Sequence, residues 1–353
     1  MTHISEITQR RSAACSLALA FAVLLGGCDA LPGVGGSDEP AEVQLLPVLL
    51  KGEWGYVDHN GRIQIEPDYR SASYFSEGLA AARASHRYGY IDEGGEFVID
   101  PRFEDAHRFS EGLAAVRVDG RWGYIDKSGS IVINPVFVNA EEFSQDRAFV
   151  RTADYDWEYI DRSGGIIRTS ETPEFDSNEN ASFSEGVALY ETRDGTYGYI
   201  DRNGNPVIPA QYASARSFSE GMAAIKISDR WGFIDRGSKT VISPQFISAG
   251  SFGNSLAPVR RDGNTWGYVD GRGNLVIAES FDEARSFSDG VAAVMIAGKW
   301  GYIDRSGEFV AEAQFDTADD FRNGVGRVTV LVGERTKIGY VDTKGSYVWY
   351  PTD

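Results

Sequence analysis

Nine aspartates recur along the chain at near-constant spacing: Asp58, Asp92, Asp126, Asp161, Asp201, Asp235, Asp270, Asp304 and Asp342. Carboxylates at a regular interval could hold a row of calcium ions, because calcium gathers several oxygen ligands. Most of them, however, carry a glycine three residues on, as in Asp126-Lys127-Ser128-Gly129. That is the layout of a turn whose first side chain accepts hydrogen bonds from the backbone ahead of it. No alternating Asp/Asn ladder with a distal glutamate follows, so they read as turn caps, with neither metal nor cofactor. His3, His59, His86 and His107 stand at unrelated phases and suggest no triad or zinc cluster. Carboxylate pairs such as Glu141 and Glu142 are plentiful in an acidic chain and single out no general acid and base. No catalytic residue is assigned, and the chain reads as not an enzyme.

A second set could bind rather than react. Arg87, Arg117, Arg121, Lys226, Arg230 and Lys299 recur beside one hairpin turn, next to a row of aromatics that includes Trp54, Trp122, Trp231, Trp266 and Trp300. Aligned, they would make a positive stripe able to grip a sugar or an anionic polymer through stacking and cation contacts. The plainer reading is solvated hairpin ends with their aromatic neighbours turned into the core.

The charge balance excludes one class of partner. With 34 basic against 52 acidic side chains the net charge is −18, which repels nucleic acid. Arg10 and Arg11 precede an apolar run over residues 13–25 that is too short to span a bilayer comfortably. The ending Leu25-Gly26-Gly27-Cys28 resembles the lipobox of bacterial lipoproteins. That resemblance implies a signal peptide over 1–27 and a lipid on Cys28. It also implies attachment to the cell envelope, on the periplasmic face of a membrane or on the cell surface. Residues 28–42, rich in Gly, Pro, Ser and acidic side chains, read as a flexible tether to a body over 43–353. Cys15 would leave with the signal, so the mature chain has no disulfide to stabilise it and depends on packing.

The elements that position these residues repeat. The aromatic heading each Trp-Gly-Tyr-Ile-Asp phrase falls at Trp54, Tyr88, Trp122, Trp157, Tyr197, Trp231, Trp266 and Trp300, with Ile338 in the same place at the end. The intervals are 34, 34, 35, 40, 34, 35, 34 and 38 residues, the sign of a modular array. In the unit over 111–145, Leu113 to Val118, Trp122 to Asp126 and Ser130 to Ile133 predict a three-stranded meander, joined at Asp119-Gly120 and Lys127-Ser128-Gly129. Gly123 inside a strand implies close approach by another backbone or a large ring. Phe137, Ala140 and Phe143, three apart, predict a helical turn between units. The closing glycines Gly78, Gly112, Gly186, Gly221 and Gly290 predict positive φ. The fourth copy departs, with Glu158 in place of its glycine and an acidic insertion around 171–181.

The phrase, with its downstream Val-Ile-x-Pro and Phe-Ser-Glu-Gly, resembles the bacterial WG-repeat family, sometimes written KWG, over about residues 45–353. The resemblance implies a β-rich, envelope-associated repeat protein, and it carries no catalytic residues. The expected fold is all-β: nine three-stranded meanders of about 34 residues in an open, solenoid-like array, with a closed propeller-like ring as the alternative. The open form is favoured because propeller blades usually have four strands, and because neither end of the chain is left to complete a blade with the other. The expected function is a non-enzymatic envelope lipoprotein whose array is a binding or scaffold surface for a protein or cell-wall glycan. The alternative is a hydrolase acting on envelope polysaccharide or peptidoglycan.

Overall fold

The computed structural model describes residues 45–168 and 182–351. Cys28, the signal and tether segments and the acidic insertion therefore lie outside the described residues. Every regular element among them is a strand. The strands form nine small antiparallel sheets, blades 1 to 9, over residues 46–69, 71–103, 105–137, 139–160, 187–212, 214–246, 248–281, 283–315 and 317–349.

Blade 3 shows how the repeat folds. Leu113–Val118 pairs with Arg121–Asp126 across Asp119 and Gly120, both at positive φ (49° and 76°), the tight hairpin whose twist suits antiparallel strands. Arg121–Asp126 then pairs with Ile131–Phe137, with Tyr124 opposite Ile133 and Trp122 opposite Phe137. Two steps on one strand thus face four on the other, a bulge that carries Pro135 where it costs no ladder bond. The bulge presses its backbone onto the middle strand. A Cβ at Gly123 would lie 2.5 Å from the carbonyl oxygen of Ile133 and 2.7 Å from the nitrogen of Pro135, so only glycine fits. In blade 4 Glu158 replaces this glycine, and among the described residues the third-strand position shows an isolated bridge between Ile160 and Ile166 and a bond from the Ile167 N–H to the Tyr159 carbonyl.

The expected helical turn does not form. After Phe137 the chain makes a two-residue strand, Asn139–Ala140, paired with Arg151 and Val150 of the following hairpin. Val138 and Glu141 donate their backbone N–H groups to the carbonyls of Arg151 and Phe149. The extended chain thus satisfies its backbone across the sheet, while Phe137, Ala140 and Phe143 still reach one core cluster. This short strand belongs to the next blade, so six of the nine sheets have four strands rather than three.

The array closes. Each blade is apolar on both faces, and buried clusters join blades 1 to 2, 2 to 3 and onward to 8 and 9. A further cluster of Leu46, Val48 and Val57 with Val325, Ile338 and Tyr340 joins blade 9 to blade 1. An open array would leave those faces bare. The expected open form is therefore corrected to its alternative, a nine-bladed propeller-like ring. No strand pairs across the seam among the described residues; closure is by side-chain packing, because the ninth interface is one more copy of the other eight.

Candidate functional site

The nine aspartates sit at the ends of the middle strands, and each turns one carboxylate oxygen to its own turn. Asp126 Oδ1 accepts from the backbone N–H of Ser128 at 2.9 Å and of Ser130 at 3.0 Å, and from the Ser128 hydroxyl at 2.6 Å. Asp58, Asp92, Asp235, Asp270 and Asp304 accept the same pair of backbone bonds, as do Asp161, Asp201 and Asp342. The Ser128 hydroxyl, above the backbone amides, holds the Asp126 carboxyl below its ordinary range.

A second set of polar groups, which sequence reasoning leaves unexplained, ties each blade to the next. Ser110 Oγ donates to the Phe143 carbonyl at 2.7 Å, and Glu111 accepts from the amides of Gln145 and Asp146 at 2.6 and 2.7 Å. Tyr124, fully buried, donates to the Glu141 carbonyl at 2.8 Å. Tyr340 of blade 9 donates instead to the carbonyl of Pro47 in blade 1, also at 2.8 Å, so this bond crosses the seam.

The six basic residues lie at hairpin ends. Arg87 and Arg117 share Glu104 at 3.3 and 3.8 Å, Arg230 stands 3.3 Å from Asp262, and Lys299 reaches Asp316 at 2.6 Å. Arg121 is exposed and Lys226 half-buried. Trp54, Trp122, Trp231, Trp266 and Trp300 belong to the inter-blade clusters rather than to an open row. Other arginines cover some of them, with Arg216 5.5 Å from the ring centre of Trp231 and Arg285 5.2 Å from that of Trp300.

The structure gathers one cluster that the spacing does not announce. Arg285 of blade 8, Asp319, Asp320, Arg322 and Arg327 of blade 9, Tyr74 of blade 2 and Arg108 of blade 3 line a cavity of about 500 Å³. Residues from blades 8 through 3 can share a cavity only on the inner side of the ring. Arg285 faces Asp320 at 3.9 Å, Arg327 faces Asp319 at 3.5 Å, and Arg108 Nε donates to Glu142 at 2.8 Å. Desolvation raises the Asp320 carboxyl above its ordinary range, against the opposing pull of Arg285. Glu158, 5% exposed and paired with Arg168, is likewise raised by burial, but it stands in blade 4. The signal was present in the repeats: aligned on Phe75, Phe109, Phe143, Phe183, Phe218, Phe252, Phe287 and Phe321, the preceding position reads serine at 182, 217, 251 and 286, but Tyr74, Arg108, Glu142 and Asp320 elsewhere.

A family model described as WG containing repeat matches residues 54–84, 88–122, 122–155, 197–231, 231–264, 266–300 and 300–330. The stretch that it passes over, 156–196, holds Glu158. No curated protein matches the chain in sequence. Among solved structures, the chain is similar to the computationally designed Ika8 protein, with a TM-score of 0.45 and 12% identity over 79% of this chain and 95% of that one. It is also similar to BamB from Moraxella catarrhalis, with a TM-score of 0.42 and 11% identity over 85% of this chain and 94% of that one.

Proposed function

Because the chain belongs to the family of WG-containing repeat proteins, we propose that it is a non-enzymatic lipoprotein of the cell envelope. In this reading its ring of blades is a binding or scaffold surface for a protein or a cell-wall glycan. The observation that carries the reading is where the repeated polar groups go. The aspartates cap their own turns, and the tyrosine, serine and glutamate of the repeat bond the neighbouring blade. Repetition builds the framework, and recognition falls to the side chains that do not repeat. A hydrolase on envelope polymer remains the second reading. The one observation it can draw on is Asp319 and Asp320 side by side in the inner cavity.

Two measurements test this. A fatty-acid analogue should label the wild-type protein and not Cys28→Ser, and label retained on Cys28→Ser would remove the anchor. Purified protein should co-sediment with peptidoglycan sacculi, or crosslink in cells to an envelope protein only when anchored, without releasing soluble glycan fragments. Fragment release abolished by Asp320→Asn would instead establish the hydrolase.

A further inference from the structure

We propose that the inner cavity at the junction of blades 8, 9, 1, 2 and 3 is a binding site for a small molecule carrying an oxyanion, a carboxylate or a phosphate. Nothing in this depends on the lipid anchor or on an envelope partner.

The first ground is a departure from the repeat. At the position after the conserved-phase phenylalanine, Ser76, Ser110, Ser144, Ser184, Ser219 and Ser288 each donate to the phenylalanine carbonyl of the next blade, at 2.6 to 2.8 Å. Blade 7 has Gly253 there, and blade 9 has Arg322, a long cation that lines the cavity. The second ground is the charge balance inside the cavity. Glu142 takes Arg108, Asp320 takes Arg285 and Asp319 takes Arg327, whereas Arg322 has no carboxylate within ion-pair distance among the described residues. A concave site with a surplus guanidinium, in a chain of net charge −18, is a local well for an anion. The planar fork of arginine matches the two oxygens of a carboxylate or phosphate.

The third ground is the neutral hydrogen-bonding wall. Tyr340 gives its hydroxyl hydrogen to Pro47, so the Tyr74 hydroxyl, 3.2 Å from it, lines the cavity with one proton that it turns either to the Tyr340 oxygen or to a ligand. Arg285 and Arg327 hold their aspartates loosely enough to add a second contact to an incoming oxyanion without dismantling the blade. At about 500 Å³ the cavity admits a metabolite-sized ligand and not a folded domain.

The test is calorimetric titration of the full chain with sodium citrate and with sodium pyrophosphate, separately and at fixed ionic strength. One arm supplies carboxylates and the other phosphates, so the tighter of the two names the oxyanion. Saturable binding is expected for at least one. Arg322→Ser, which places there the residue of six other blades, should weaken it by about tenfold or more, the scale of one lost charged hydrogen bond. Its melting temperature without ligand should be unchanged, and Arg305→Ser, at an exposed position in the turn after Asp304, should bind as the wild type does. If Arg322→Ser melts early, Arg322→Lys, which keeps the charge and loses the fork, is read instead and should still bind more weakly. Absence of saturable binding in both arms, or equal affinity for the wild type and the Arg322 variant, overturns the assignment.

Discussion

At the scale of single residues, the glycine of the repeated phrase is set by contact rather than by flexibility. Gly123→Ala would drive a Cβ into the Ile133 carbonyl and the Pro135 backbone, neither of which can swing aside. We expect it to cost about 2 to 3 kcal/mol in urea unfolding. Gly120→Ala meets nothing within 4 Å but must hold φ near +76°, and should cost about 1 kcal/mol. Equal losses would mean that the bulge yields. Glu158, which occupies the glycine position in blade 4, titrates in the opposite sense to the caps. Burial raises its folded pKa above the unfolded value, so its neutral form favours the fold; its own contribution to stability is greatest below about pH 4 and declines as pH rises through the folded value. Glu158→Gln should therefore be more stable than the wild type at neutral pH, with the advantage gone near pH 4. A destabilised variant at pH 7 would show that the Arg168 pair outweighs desolvation.

At the scale of the element, each strand end is a cap and each inter-blade loop is a latch. Hydrogen bonds hold the carboxyls of Asp126, Asp161 and Asp304 below their usual range, chiefly those from the hydroxyls of Ser128, Ser163 and Ser306. A depressed folded pKa adds stability above the unfolded value, which is lost as pH falls through the folded one, so the ring should soften below about pH 4. Asp126→Asn keeps the acceptor and should lose part of that acid sensitivity, whereas Asp126→Ala should cost about 1 kcal/mol at neutral pH, a difference that narrows as pH falls through the folded value. Ser110→Ala removes the bond to the Phe143 carbonyl and should cost about 1 kcal/mol. If the latch joins separately folded blades rather than one cooperative ring, Ser110→Ala will lower the cooperativity of the melt as well as its midpoint.

At the scale of the whole molecule, stability is shared by nine interfaces of one design, and the interface between blades 9 and 1 is as buried as the rest. Deleting residues 331–353 removes Ile338 and Tyr340 from that cluster and bares the apolar face of blade 1. The truncated chain should lose its cooperative transition. Retention of a slightly less stable fold, together with an elongated particle in X-ray scattering, would mean that the ends do not need each other. Tyr340→Phe removes the seam bond to Pro47 but keeps the packing, and should cost only about 1 kcal/mol.

What the sequence determined by itself was local. The period, the hairpins, the role of Gly123 and the turn chemistry of Asp126 all follow from residues within a few positions of one another, whose sterics and hydrogen bonds act along the chain. The helical turn read into Phe137, Ala140 and Phe143 failed at the edge of that range, because their backbone partners, Arg151 and Phe149, lie across the next strand. Closure, the latches and the meeting of Arg285, Arg322 and Arg108 were decided only by the tertiary structure. They depend on the small rotation between neighbouring blades, which the packing of each interface sets and which repeats nine times. A slightly different rotation would leave the same strands, turns and caps in an open array, with Leu46 and Tyr340 far apart.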